Sequence, residues 1–219
     1  MQEHGALAYR GLRTPRAAGI AGVLFSLLFG TSLVLLRTAL DPDPFVAIDW
    51  DGPAGWRVRV AMTLMPFAGI AFLWFIGVVR DRLGEHEDRF FSTVALGSGL
   101  LFVAMVFASM SIAGGLLATA SAELAADAER GLAAFGRAVM IQISNVYALR
   151  MGGVFMLSLG TVWLRTGLMP LWLVVTTYLL ALAMLVIVNL SLWVTLLFPA
   201  WVLAVSLHVL FRPSSAGGG

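Results

Sequence analysis

Long runs of apolar residues dominate the pattern of hydrophobic and polar positions along this chain. Six of them are each about as long as the roughly 20 residues that an α-helix needs to cross a hydrocarbon layer of about 30 Å. They cover residues 17–36, 60–79, 90–118, 146–164, 169–188 and 192–211. Because lipid offers the backbone no hydrogen-bond partners, each run should be helical. The pattern predicts an all-α, polytopic bundle of six transmembrane helices over residues 17–211.

The count of six depends on one short polar break. Only Asn189-Leu190-Ser191 separates the fifth run from the sixth, and we interpret this tripeptide as the turn between them. Without that turn the count would be five. Residues 1–16 are predicted to be an N-terminal cytoplasmic segment, and the glycine-rich residues 212–219 are predicted to be a disordered tail. No clear small-residue cleavage site follows the first run, so we expect it to be retained as an anchor.

The composition supports a membrane protein. Hydrophobic residues make up 60% of the 219 residues and charged residues 12%, whereas a soluble domain has roughly a quarter of its residues charged. Cysteine and lysine are both absent. For the chain as a whole, these values exclude three classes: a water-soluble globular enzyme, a disulfide-stapled secreted module and a disordered polypeptide.

Arginine supplies all of the positive charge, and its distribution predicts an orientation. With the N-terminus inside, eight arginines flank the runs on the cytoplasmic side and five on the outer side. The inner set is Arg10, Arg13, Arg16, Arg80, Arg82, Arg89, Arg165 and Arg212, and the outer set is Arg37, Arg57, Arg59, Arg130 and Arg137. This excess favours cytoplasmic termini. We interpret the net charge of +2 as favouring contact with anionic membrane lipids. We expect no nucleic-acid partner.

Missing residue types exclude several functions. A retinal protein needs a lysine, and a haem held by two histidines needs two of them in the membrane, whereas only His208 lies in a run. No H-E-x-x-H motif is present, and no acidic residue lies in the six runs; the second absence weakens ion-coupled transport. We therefore expect no metal, no cofactor and no catalytic residue. An intramembrane enzyme using Ser98 and His208 is a remote alternative, because the serine lacks a G-x-S-x-G elbow.

Arg150 marks a candidate ligand site. A charge inside an apolar run costs several kcal/mol unless it finds partners or reaches the interface. Helical spacing places Tyr147, Arg150 and Ser158 on one face, and Gln142 and Asn145 precede them. The functional interpretation is a site that attracts an anion or a lipid headgroup. The alternative is that Arg150 lies one turn deep and extends to the outer surface.

Two further segments have a recognisable pattern. The first run carries small residues at every fourth position, which is typical of close helix packing in lipid or, less often, of a narrow path. They are Ala18, Gly22, Ser26 and Gly30. Residues 121–137 consist of good helix formers in an outer loop, and we predict a short exposed helix there.

The chain also resembles a group of actinobacterial multi-pass membrane proteins of unknown function. The resemblance lies in Leu164-Arg165-Thr166-Gly167-Leu168-Met169-Pro170-Leu171-Trp172, in Phe198-Pro199-Ala200-Trp201-Val202-Leu203 and in the segment from Met65-Pro66 through Arg80-Asp81-Arg82. It implies a bacterial plasma-membrane location and a six-helix architecture, and it transfers no binding or catalytic residue.

Three functions remain open from the sequence. The first is a non-enzymatic membrane protein that binds or passes a small or lipidic molecule through its helix bundle. The second is an accessory subunit of a larger membrane complex. The third and most remote is the intramembrane enzyme. In the first two cases we expect membrane lipids as partners, together with either a homo-oligomer or another membrane protein.

Overall fold

A computed structural model describes residues 15–40, 50–83, 89–119, 126–186 and 192–211. Within these ranges the chain is helical and contains no strand. Its elements are α1 (Pro15–Ala39), α2 (Pro53–Leu83), α3 (Arg89–Thr119), α4 (Ala126–Ile141), a π-helical segment (Gln142–Ala148), α5 (Leu149–Thr166), α6 (Leu171–Val186), a 3₁₀ turn (Leu192–Leu196) and α7 (Leu197–Phe211). The predicted all-helical fold is confirmed for the described residues.

Within the ranges that the structure describes, five helical segments are long and apolar enough to cross a membrane, so the chain is a membrane protein. They are Ala17–Ala39, Pro53–Arg80, Phe90–Thr119, Asp127–Thr166 and Trp193–Phe211. The remaining predicted run corresponds to α6, which has only 16 residues and is about 24 Å long at 1.5 Å per residue. The turn at residues 189–191, residues 1–14 and the tail at 212–219 lie outside the described residues.

One phenylalanine from each of five helices meets at the centre of the bundle. This aromatic cluster consists of Phe25, Phe72, Phe102, Phe155 and Phe198. The Phe72 ring lies 4.6 Å from Phe25 and 5.4 Å from Phe155 between centroids. Phe102 and Phe198 are 4.4 Å apart. Such tilted and edge-on pairs are favourable beyond the area that they bury, and they fix α1, α2, α3, α5 and α7 to one another.

Helix α6 contributes no ring to this cluster and is held at its side by hydroxyl groups. The Thr161 and Tyr178 hydroxyls, on α5 and α6, are 2.9 Å apart. The Trp201 indole on α7 donates to Thr177 Oγ1 on α6 at 2.9 Å. Buried polar groups in an apolar environment need such partners. These contacts therefore position α6 beside α5 and α7.

The two ends of the bundle carry arginines in different settings. At one end, the Arg165 guanidinium of α5 lies 4.8 Å from the centre of the Phe91 ring on α3, a cation–π distance. At the other end, Arg57 of α2 donates to the Thr38 carbonyl of α1 at 2.9 Å. The second end, where α1 finishes and α2 begins, is called the Arg37 end below.

The small-residue stripe of α1 packs within the chain for most of its length. Ala18, Gly22 and Ser26 are buried. A Cβ atom on Gly22 would lie 2.0 Å from Ser206 Oγ of α7 and 3.0 Å from the Phe75 ring of α2. At Gly30, by contrast, a Cβ atom would have no neighbour within 4 Å. Gly22 is therefore the position of the stripe at which close approach requires glycine.

We predict that Gly22→Ala lowers the stability of the detergent-solubilised protein by about 1–3 kcal/mol, the usual cost of overpacking. Gly30→Ala is the matched control on the same helix, because its new methyl group meets nothing within 4 Å and alanine is the better helix former. Apparent melting temperatures from circular dichroism compare the two variants. Equal melting temperatures would contradict the α1–α7 contact.

Candidate functional site

A fully buried arginine lies where the sequence predicted an exposed helix. Residues 127–132 are indeed exposed, but only 1% of the Arg137 surface is accessible, so the prediction was wrong for this residue. The cause is that α4 does not end in a loop and instead continues into the spanning helix. Gly136 brings it against α3, since a Cβ there would lie 2.7 Å from Leu116.

A second arginine at this end contacts the π-helical segment. Arg37, in the last turn of α1, donates from Nη2 to Oδ1 of Asn145. The same Asn145 oxygen lies 3.2 Å from the Ser144 hydroxyl, which donates to it. The Arg37 Nε atom is buried and has no hydrogen-bond acceptor among the described residues. The guanidinium thus retains donors for a further group, the buried Nε–H among them.

The π-helical segment sets the direction of these side chains. The Leu149 N–H bonds the Ser144 carbonyl five residues back, whereas an α-helix bonds four residues back. Ser109 of α3 donates to the Met140 carbonyl at 3.0 Å, just before the segment begins. Single-turn π-helices inside α-helices are frequent at functional sites. Here the segment turns Asn145 toward α1.

Arg37, Ser109 and Ser144 border a cavity of about 20 Å³, enough for about one water molecule. Its polar lining residues are Arg37, Ser109, Ser144 and Thr195, and its apolar ones are Phe29, Leu33, Leu36, Met65, Phe102, Val106, Met110, Met140, Ala148 and Leu149. Leu33, Met65 and Phe102 are among those that are buried. We refer to this space as the Arg37 cavity. It combines one charged group with a mostly apolar wall.

The predicted ligand-site residues do not lie together in the structure. Asn145 is buried and contacts Arg37, whereas Gln142 and Tyr147 lie on the exposed surface, with Tyr147 51% accessible. Arg150 is half-buried and lies 3.5 Å from the Val146 carbonyl of its own helix, to which it donates. Ser158 is buried and donates to Val154, also on its own helix. Of this set, only Asn145 contacts Arg37, and none of the five lines the Arg37 cavity.

Sequence reasoning missed Arg37, Ser109 and Ser144 as site residues. Arg37 follows the first apolar run directly, so it counted only toward the orientation. Serines are common in membrane helices, and most described hydroxyls donate to a carbonyl four residues earlier, as Ser26 does to Gly22. The sequence signal that could have found this site was an arginine in the last turn of one spanning helix together with an asparagine in another.

The residues of the remote enzyme hypothesis have structural contacts. Ser98 donates to the Val94 carbonyl at 2.7 Å, and the His208 ring lies edge-on to Trp172 at 6.1 Å between centroids. Among the described residues, no group of three or more His, Cys, Asp or Glu side chains could hold a metal ion.

Comparison with protein-family models, curated proteins and solved structures found no match.

We predict that the Arg37–Asn145 contact stabilises the fold. Asn145→Ala removes the acceptor of a half-buried guanidinium and should cost about 1–3 kcal/mol. In the double variant Arg37→Met/Asn145→Ala the loss should be smaller than the sum of the two single losses, because neither partner is left alone. Melting temperatures in detergent give the coupling.

Ser158→Ala is the control for this cycle, since that hydroxyl bonds only its own helix. It should change the melting temperature less than Asn145→Ala does. Strictly additive losses for Arg37→Met and Asn145→Ala would show that the two side chains do not stabilise each other.

Proposed function

We propose that this chain is a non-enzymatic protein of a bacterial plasma membrane that binds a small or lipidic molecule in the Arg37 cavity. In this proposal the chain crosses the membrane six times, with α6 as the fifth span and both termini in the cytoplasm. The excess of arginines at the opposite end supports that orientation. The Arg37 end then faces outward.

The observation that carries the proposal is the open donor of Arg37. A guanidinium can donate five hydrogen bonds, and desolvating a charged group costs free energy unless it is paired. Arg37 has one acceptor, Asn145, among the described residues, its Nε is buried without one, and the residue lines the cavity. An occupant with an acceptor group would complete this set. Ser144 and Ser109 offer further polar contacts at the same wall.

Binding is favoured over passage through the bundle by the aromatic cluster. Its five rings lie at the centre, in contact across five helices. Close-packed interiors of this kind leave few voids larger than a water molecule. A molecule that enters at the Arg37 end therefore meets a packed layer of phenylalanine side chains. This arrangement suits a site with one entrance.

We predict that the purified protein retains a bound molecule that comes from the lipids of its host. Arg37→Gln should reduce the bound fraction by about tenfold or more, because hydrogen bonds to charged groups contribute about 1.5–3 kcal/mol. Native mass spectrometry from a mild non-ionic detergent measures the occupancy. Arg130→Gln is the matched control: it removes the same charge from an exposed residue at the same end, where the Arg130 guanidinium lies 3.9 Å from the Asp127 carboxylate.

Two other outcomes are informative. Loss of the adduct in Arg150→Gln, with Arg37→Gln unaffected, would move the site to the face of Tyr147 and Arg150. Absence of any adduct, together with a stoichiometric companion protein in preparations from native membranes, would contradict the proposal and support the accessory subunit.

We predict the orientation to be measurable with single cysteines, because the native chain has none. An impermeant thiol reagent added outside intact cells should label Glu129→Cys and Ser191→Cys, and it should label Arg80→Cys only after lysis. Labelling of Ser191→Cys only after lysis would remove the proposed turn at residues 189–191. The reverse pattern at all three positions would contradict the orientation.

A further inference from the structure

We infer that the occupant of the Arg37 cavity is an amphiphile with one apolar chain and an oxyanion head, a carboxylate or a phosphate, with the head at Arg37 and the chain directed toward the aromatic cluster. This inference rests on the proposed function and specifies the chemistry of its ligand. It combines the charge at the end of the cavity with the apolar character and direction of its wall.

The head group follows from charge. The Nε–H of Arg37 is buried without an acceptor among the described residues, while Nη2 bonds Asn145. A guanidinium N–H forms a short, charge-assisted hydrogen bond to a carboxylate or phosphate oxygen. In an apolar environment this charge favours an anion over a neutral head.

The apolar chain of the ligand is inferred from the wall of the cavity below Arg37. A second, smaller space of about 10 Å³ adjoins the first and shares four lining residues with it: Phe29, Met65, Phe102 and Val106. All of its lining is apolar, and it reaches Phe25 of the aromatic cluster. From Arg37 to Phe25 the rise along α1 is about 18 Å at 1.5 Å per residue. The polar end and the apolar end thus lie at opposite ends of one path.

Methionine side chains provide the room for the alkyl chain of the ligand. The two spaces together hold no more than about two water molecules, so an alkyl chain must displace part of the wall. Met65, Met110 and Met140 line the Arg37 cavity, and methionine is flexible and fills gaps that can re-pack. Exchanging methionine atoms for alkyl atoms keeps the packing apolar. One narrow path bordered by three such side chains accommodates a single chain rather than two.

The test compares probes of equal chain length and different heads on the wild-type protein in a non-ionic detergent. Dodecanoate should bind in native mass spectrometry with an affinity about tenfold or more above that of 1-dodecanol. Inorganic phosphate should not produce an adduct. Phosphatidylglycerol, offered in nanodiscs with phosphatidylcholine, should compete less well than dodecanoate, because its second chain has no place in the path. These comparisons need no variant to fold.

Variants then locate the site. Arg37→Gln should remove the preference for dodecanoate over dodecanol, Arg130→Gln should keep it, and Val106→Phe should weaken both probes by narrowing the path between the two spaces. Size-exclusion elution and helical circular dichroism confirm folding of each variant. An Arg37→Gln protein that keeps the preference would overturn the assignment of the head to Arg37.

The outcomes separate this inference from the function that it specifies. Equal binding of dodecanol and dodecanoate would overturn the anionic head and leave a lipid-binding protein. Binding of phosphate alone would overturn the apolar chain, and tighter binding of phosphatidylglycerol would overturn the single chain. If no probe binds and no adduct accompanies the protein from its host, the proposed function itself fails.

Discussion

The contact among five phenylalanine rings at the centre of the bundle is the interaction on which the rest of the structure depends. Lipid surrounds the helices with atoms as apolar as their own side chains, so water exclusion gives little preference for one helix arrangement over another, and specific packing must do so. The rings of Phe25, Phe72, Phe102, Phe155 and Phe198 supply that packing. Where α1 approaches α7, Gly22 permits the short separation that the rings require. Helix α6 lies outside this set and is held by buried apolar side chains such as Leu173, Ala181 and Met184 together with hydroxyl contacts.

The same cluster gives the bundle two unlike halves. On the Arg165 side, the charge lies over an aromatic ring and near the end of a helix. On the Arg37 side, helices separate enough to leave a cavity, and its polar lining is placed by α1, α3, the π-helical segment and the 3₁₀ turn before α7. An arginine here is costly to keep without acceptors. Its position next to a mostly apolar cavity is what makes this end the candidate site.

The fold was largely accessible from the sequence, and the site was not. Among the described residues, hydropathy located α1, α2, α3, α5, α6 and α7, because a membrane span must be long, apolar and helical, and those properties are local. It did not extend the fourth span back to Asp127. The burial of Arg137 was missed because the length of α4 depends on a helix that continues from an exposed, polar beginning into the membrane. The pairing of Arg37 with Asn145 was missed because it joins residues 108 positions apart. The face proposed for Tyr147 and Arg150 assumed α-helical spacing, and no residue pattern signals the π-helical segment just before Arg150.

The π-helical segment has a consequence for how this chain can vary in length. Each residue of an α-helix turns the backbone by about 100°, or one turn per 3.6 residues. A helical turn that bonds five residues back holds about one residue more than an α-helical turn of nearly the same rotation. Deleting one residue between Gln142 and Ala148 would therefore restore regular α-helical winding and leave α4 and α5 in nearly the same rotational phase. Arg137 would stay in the interior, and only the side chains of the segment itself, Asn145 among them, would be re-aimed. A change of one residue in length, which surface loops usually absorb, is thus absorbed here inside a spanning helix.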